Sequence, residues 1–247
     1  SDGVNTGSGT LTIDVEDDSP GTVAPITNFI AGTDTNLMIV LDVSGSMGNA
    51  SGIPGLTRLQ AAVQSINTLL DRYDEFGAVS VRLVTFSSTA QAAGATWMTV
   101  AQAKATLATL VANGGTNYDA ALAEAQTAFG IDTGKLGTAQ NVSYFFSDGA
   151  PNSGTEIGAA DEAAWTGFLN TNQIRSFAIG MGSGVTQAPM NPIAFNGQAN
   201  ENTDAVVVAA FDDLDNVLAG TIQAPPAGPL SGGSNFVTDG VMGGDGG

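Results

Sequence analysis

Leu37-Met-Ile-Val-Leu-Asp42-Val-Ser-Gly-Ser46 is the stretch that decides how this chain folds. Its five leading apolar residues have strand length and no alternation, the pattern of a strand covered on both faces of a parallel sheet. A carboxylate, two hydroxyls and a glycine follow at once, which marks a loop at the carboxyl end of that strand. Working outward, Leu56 to Tyr73 sets Leu59, Ala62, Val63, Ile66, Leu69 and Leu70 at helical spacing and predicts an amphipathic helix. Val79 to Phe86 reads as the next strand, Trp97 to Val100 as a short edge strand and Ala101 to Val111 as a helix. Asn113-Gly-Gly-Thr116 breaks the chain before an Ala-rich helix over Tyr118 to Phe129. Val142 to Phe146 is another fully buried strand, followed by a helix over Glu162 to Asn170 and strands over Ile174 to Ile179 and Ala205 to Ala209. Phe211 to Ile222 closes the pattern as a helix with Asp212 and Asp213 in its first turn, where the dipole favours anions. Alternating strands and helices at this spacing predict an α/β domain over residues 34–223. Its architecture is a doubly wound, mostly parallel central sheet flanked by helices, Rossmann-like, with right-handed crossovers.

The flanks have a different character. Residues 1–33 are polar and turn-rich except for Thr10 to Glu16, whose period of two predicts a half-buried strand. This segment reads as the end of a preceding β-sandwich repeat, of Ig-like type, and a linker. Its alternative is an unstructured terminus. Residues 224–247 begin with the stiff Ala224-Pro-Pro-Ala-Gly-Pro229 and continue as a Gly/Asp-rich segment around a candidate strand, Asn235 to Thr238. Short β extensions are therefore expected at both ends, paired with each other. The opening in mid-phrase reads as a fragment of a longer protein.

Composition limits the chemistry. The 247 residues carry 6 Lys+Arg against 24 Asp+Glu, a formal charge of −18, with no His and no Cys. A Ser-His-Asp triad, a cysteine nucleophile, a Cys/His zinc site and a disulfide are all excluded. Six cations build no basic face for nucleic acid or an anionic membrane, and no apolar run reaches the roughly 18 residues of a membrane span. With 43% hydrophobic residues the chain fills a core and is no disordered acidic tail. What remains is oxygen chemistry: carboxylates, hydroxyls and carbonyls on a backbone with 33 glycines, the ligand set of Ca²⁺ and Mg²⁺. An acidic, cysteine-free composition also suits a protein exported unfolded into a calcium-containing medium, where bound ions supply stability.

In open α/β sheets ligands bind beyond the carboxyl ends of the strands. Three such loops carry oxygen donors. Asp42-Val-Ser-Gly-Ser46 offers Asp42, Ser44 and Ser46. Gly114-Gly-Thr-Asn-Tyr-Asp119 offers Thr116 before a helix, and Ser147-Asp-Gly149 delivers Asp148 after a buried strand. Carboxylates and three hydroxyls, completed by water, make an octahedral site for a divalent ion with one position open to a partner's carboxylate. Asp42, Ser44 and Ser46 also suit a plain helix cap. Asp119 suits a dipole role in a first turn.

These motifs, in this order, resemble the metal-ion-dependent adhesion site of von Willebrand factor type A domains, over roughly residues 34–223. The resemblance implies that Ser44, Ser46 and Thr116 touch the metal through hydroxyls, and that Asp42 and Asp148 bind directly or through water. It implies a non-enzymatic adhesion module that takes Mg²⁺, Mn²⁺ or Ca²⁺ and binds an acidic side chain of a protein ligand, with a last helix that shifts on binding in some members. Gly9 to Pro20 is similar to the end of Ig-like repeats in RTX surface adhesins of Gram-negative bacteria, and the final Gly-Gly-Asp-Gly-Gly247 to the start of calcium-binding glycine/aspartate repeats. That second resemblance implies an extracellular, type I secreted adhesin. Its neighbouring modules would be joined through a junction Ca²⁺ at Asp14, Glu16, Asp17 and Asp18, the alternative being a solvated turn.

Met47, Asn49, Tyr118, Pro151 and Asn152 are expected on the rim of the site, as partner contacts or as ordinary loop residues. Trp97 and Trp165 are expected to pack in the interior. The module is expected to be monomeric, and the ion in the site to be Mg²⁺ or Ca²⁺. Two other functions compete. A structural spacer would hold an ion whose last position its own side chain blocks. A phosphatase-like enzyme would use Asp42 as nucleophile, but Ser44 stands where those families place a second Asp, and Lys104 and Lys135 fall on elements that do not reach the site.

Overall fold

The structure is a computed structural model that describes residues 33–222 apart from Ser153. The expected strands at Thr10 to Glu16 and Asn235 to Thr238, and the acidic junction at Asp14, Glu16, Asp17 and Asp18, lie outside the described residues.

Strand β1, Thr35–Asp42, is buried along its whole length. Its side chains alternate between two separate cores. Leu37, Ile39 and Leu41 face one cluster, with Leu59, Ile66 and Leu70 of helix α1 (Arg58–Asp74) and Leu214 and Leu218 of helix α5 (Leu214–Thr221). Met38 and Val40 face the other, with Leu122 and Phe129 of helix α3 (Tyr118–Phe129) and Trp165 and Leu169 of helix α4 (Ala159–Thr171). Two-sided burial is what a continuous apolar run demands, and β1 accordingly lies in the interior of the sheet.

β1 pairs in parallel with β2 (Val79–Phe86) on one edge and β4 (Gln140–Ser147) on the other, and β4 pairs in parallel with β5 (Ile174–Met181). The sheet is completed by β3 (Ala90–Ala92), β6 (Phe195–Asn196), β7 (Glu201–Asn202) and β8 (Val206–Val208). Its strand order is β3-β2-β1-β4-β5-β6-β7, with β8 parallel to the upper half of β5. Helix α2, Val100–Leu107, packs beside α1. The mostly parallel central sheet flanked by helices expected from the sequence is the architecture found, with α1 and α5 on one face and α3 and α4 on the other.

Local departures have local causes. Helix α1 starts at Arg58 rather than Leu56 because Thr57 caps it: the Thr57 hydroxyl accepts from the Gln60 amide at 3.2 Å while Gln60 accepts from the Thr57 amide at 2.9 Å. Trp97 to Val100 is not the edge strand. Met98 makes a single bridge to Val81, and the Trp97 indole turns inward to donate to the Ile131 carbonyl at 2.6 Å. Thr99 then caps α2, so the edge is left to β3, antiparallel to β2. Helix α2 ends at Leu107, short of Val111, which is 77% exposed. The closing helix opens with a 3-10 turn, Phe211–Asp213, before α5. The β6–β7 hairpin was not visible in the sequence. A Cβ on its Gly197 would overlap the backbone carbonyls of Leu169 and Ile174, so the hairpin lies flush against the end of α4 and the start of β5.

Far from the strand ends that carry the loops of interest, the Tyr144 hydroxyl bonds Tyr73 of α1 at 3.0 Å and Thr221 of α5 at 2.6 Å. This relay ties the last helix to the first through the central sheet. Trp165 is fully buried, and its indole donates to the Ile193 carbonyl at 3.0 Å.

Candidate metal centre

Asp42 is the last residue of β1, and pairing places it opposite Phe86 of β2. The chain stays tied to the sheet for one residue more, since the Val43 amide donates to the Phe86 carbonyl at 2.8 Å. It then turns through Ser44 into a 3-10 turn, Gly45–Gly48. The second loop is stitched to the first by two backbone bonds: Asn113 donates to the Val43 carbonyl at 2.7 Å and Gly45 to the Gly114 carbonyl at 2.9 Å. The third loop leaves β4 at Ser147, one strand over.

These connections bring the carboxylates and serines into one hydrogen-bonded cluster. Asp42 Oδ1 accepts from the Ser44 amide at 2.7 Å, and Asp42 Oδ2 from the Ser147 hydroxyl at 2.6 Å. Ser44 Oγ lies 3.0 Å from Ser46 Oγ, which donates to Asp148 Oδ1 at 2.7 Å. Asp148 Oδ2 accepts from Arg58 at 2.8 Å. Thr116 is locked by its backbone: its amide donates to Asn152 Oδ1 at 2.6 Å, and its carbonyl accepts from the Asn152 amide at 2.8 Å and the Thr155 hydroxyl at 3.0 Å. Its own hydroxyl takes no hydrogen bond among the described residues.

Burial sets the electrostatics. Asp42 is 0% exposed, and removal from water pushes its carboxyl from the ordinary 3.8 up to about 6, against the opposing hydrogen bonds from Ser147 and Ser44. Asp148 adds a smaller repulsion in the same direction. Two carboxylates in one buried cluster call for a counter-charge, and Arg58 supplies one.

The donor set fits a hard divalent cation. It is all oxygen, and its neighbouring oxygens lie 2.7–3.0 Å apart, close to the edge of about 3.0 Å of an octahedron with Mg²⁺–O bonds of about 2.1 Å. Among the described residues there is no group of three or more His, Cys, Asp or Glu, so the hydroxyls are needed to make a ligand set.

Of the residues expected around the site, Asn49 and Asn152 lie at the surface. Met47 and Tyr118 do not, and their reading as partner contacts is corrected. Met47 is fully buried because the 3-10 turn directs it into the core with α1. Tyr118, also fully buried as the first residue of α3, donates its hydroxyl to the Gly149 carbonyl at 2.6 Å and so braces the third loop. Asp119 occupies the first turn of α3, and burial foremost raises its carboxyl above the ordinary value, followed by repulsion from Asp161 and Glu156. Three participants were missed by sequence reasoning. Ser147 was read only as the loop neighbour of Asp148, whereas it is the last residue of β4 and donates to Asp42, and Asn152 appeared only as a rim residue although it clamps Thr116. Arg58 is ten residues removed from Gly48, and its signal was a cation at the start of a helix.

Residues 37–150 match the family model of the von Willebrand factor type A domain. Among solved structures, the chain is similar to a von Willebrand factor type A protein from Catenulispora acidiphila, with 20% identity and a TM-score of 0.59 over 76% of this chain and 42% of that one. It is similar to the PilB minor pilin from Streptococcus sanguinis, with 15% identity and a TM-score of 0.60 over 80% and 61% of the two chains. A third is proximal thread matrix protein 1 from the mussel byssus with a zinc-occupied MIDAS motif, with 18% identity and a TM-score of 0.59 over 77% and 45%. The chain thus spans less than two thirds of the length of each of these proteins. No curated protein matches it. These structures share with it a mostly parallel sheet flanked by helices, the fold of the von Willebrand factor type A domain.

Proposed function

We propose that residues 34–223 act as a metal-dependent protein-binding module of an extracellular adhesin, joined to its partner through a divalent cation and an acidic side chain of that partner. Asp42, Ser44, Ser46, Thr116 and Asp148 hold the ion, Mg²⁺ or Ca²⁺, directly or through water. The ion supplies a Lewis-acidic position for the incoming carboxylate. Asp42 and Asp148 neutralise it, and Asn152, Ser147 and Tyr118 hold the loops in place. The observation that carries this reading is the hydrogen-bonded run from Asp42 through Ser44 and Ser46 to Asp148, which joins the ends of two neighbouring strands. The zinc-occupied motif of the mussel protein and the pilin neighbour lend it support by fold.

The module binds rather than turns over a substrate. Lys104 pairs with Asp71, and Lys135 lies 3.7 Å from the centre of the Phe129 ring, so neither is available to a phosphate at Asp42. The secretion route of an RTX adhesin and a junction Ca²⁺ at Asp14, Glu16, Asp17 and Asp18 belong to the same proposal and rest on the sequence resemblance. The test is calorimetric titration of Mg²⁺ and Ca²⁺ into the wild type, Asp42→Ala and Thr116→Ala, with capture of candidate surface proteins in the presence and absence of chelator. Loss of ion and partner together in both variants, with the fold retained, is expected. Partner capture that survives Asp42→Ala refutes it.

A further inference from the structure

Arg58 stands apart from the ligand set, and its position opposes the helix that carries it. It is the first residue of α1, where the positive end of the dipole favours anions. The chain has six cationic residues against 24 acidic ones; Arg72 lies in the last turn of α1, at its other end, and the remaining four have different duties. Arg82 donates to the carbonyls of Ala128, Gly94 and Thr96, Lys104 meets Asp71, and Lys135 and Arg175 lie over Phe129 and Phe177. Arg58 alone reaches the oxygen cluster, where its side chain is 30% exposed and that of Asp148 is 0% exposed. It engages Oδ2 of Asp148 and leaves Oδ1 with Ser46.

We propose that Arg58 sets the charge of the loaded site, weakening its hold on the cation while strengthening its capture of a carboxylate. The proposal rests on the metal-centre reading above. With both carboxylates ionised, Asp42 and Asp148 exactly balance a divalent ion, and a neutral site exerts no net pull on an anion. Arg58 raises the total to one positive charge. On a chain of formal charge −18, that local positive charge is what draws an acidic partner past the general repulsion. The same charge opposes the incoming cation by like-charge repulsion and by occupying Asp148 Oδ2. One elementary charge about 6 Å away, at an effective dielectric of about 40–80, changes the binding of a carboxylate by about three- to tenfold and that of a divalent ion, which carries twice the charge, by about ten- to a hundredfold.

Mn²⁺ binding followed by water-proton relaxation tests this on the wild type, R58Q and R58K. Glutarate is then titrated into each Mn²⁺-loaded protein, where it displaces coordinated water and lowers the relaxation. R58Q is expected to bind Mn²⁺ about ten- to a hundredfold more tightly and glutarate about three- to tenfold more weakly, with R58K within about twofold of wild type in both. Arginine that merely orients Asp148 gives the other pattern, weaker Mn²⁺ binding in R58Q, and that result overturns the proposal. So do unchanged affinities in R58Q, or R58K behaving as R58Q does. Wild-type protein that binds no Mn²⁺, or Mn²⁺ binding that survives Asp42→Ala, overturns the metal centre and this inference with it. Arg58's role alone falls when the wild type binds Mn²⁺ through Asp42 and the R58Q pattern is absent.

Discussion

Asp42→Asn separates what Asp42 does for the fold from what it does for a metal. In the metal-free protein the buried carboxyl is pushed from 3.8 up to about 6, so ionising it within the fold costs about 3 kcal/mol relative to the unfolded chain. Asparagine removes that charge and keeps the shape. Its Oδ1 still accepts from the Ser44 amide, and its amide group faces the Ser147 hydroxyl, which can turn to accept. After allowance for that rearrangement, the metal-free variant is expected to be more stable than wild type by about 2 kcal/mol above pH 7, a rise of about 4–8 °C in melting temperature for a domain of this size. The sign follows from linkage. A carboxyl with a raised folded pKa contributes stability that is complete below about pH 3.8 and lost as pH rises through about 6. The variant's advantage is therefore largest above pH 7 and reverses to a deficit of about 1 kcal/mol, the cost of the rearrangement, at acid pH. Urea unfolding in chelator from pH 4 to 8 measures it. Millimolar Mg²⁺ should then stabilise the wild type and leave the variant unmoved. An Asp42→Asn protein that is less stable than wild type at pH 7.5 in chelator by more than about 1 kcal/mol refutes the electrostatic argument. A full Mg²⁺ gain in the variant refutes the ligand assignment.

Three further substitutions probe the loops. Thr116→Ala removes a hydroxyl that no described residue uses, so calorimetry should show Mg²⁺ affinity falling at least about tenfold while stability changes by about 0.5 kcal/mol or less. Gly115→Ala places a Cβ against Asn152 Oδ1 and dislodges the clamp on the Thr116 amide. Faster hydrogen exchange at that amide and a several-fold weaker Mg²⁺ affinity are expected. Tyr118→Phe breaks a buried hydrogen bond to the Gly149 carbonyl and should cost about 1–2 kcal/mol by urea unfolding. Its Mg²⁺ affinity should stay within about threefold of wild type, as befits a brace rather than a contact.

β1 and β4 were legible because a short apolar run closed by a turn signal suits a strand covered on both faces, and β2 and β5 because short β-rich stretches alternate with helical ones: all four lie where Leu37, Val142, Val79 and Ile174 announced them. The start of α3 at Tyr118 lies where the sequence placed it, whereas the other helix starts were displaced by a residue or more because capping depends on single side chains such as those of Thr57 and Asp161. The edge elements were hidden. β3, β6 and β7 are two or three residues long, too short to carry a period, and exist through pairing with strands already in place. At the site, the order of oxygen donors after strand ends was readable, since strand ends in a parallel sheet converge. Side-chain direction was not. Met47 adjoins Ser46 in sequence, yet a 3-10 turn points them apart, one into the core and one toward Asp148. Arg58 belongs to the site through the path of the loop between Gly48 and Thr57, which hydrophobic spacing does not report.

The central position of β1 has a mechanical meaning. One end of this strand bears Asp42, and the other continues at Thr35 into the preceding chain. A pull between a tethered ligand and that flank would run along the strand axis. β1 is paired over its length with β2 from Thr35 to Asp42 and with β4 from Thr35 to Leu41. Tension of this kind loads both ladders in shear, with their bonds sharing the force together, whereas a strand tugged sideways from an edge would peel one bond at a time. Asp42, proposed above as a ligand of the ion, is thereby fastened to a strand held by two ladders at once.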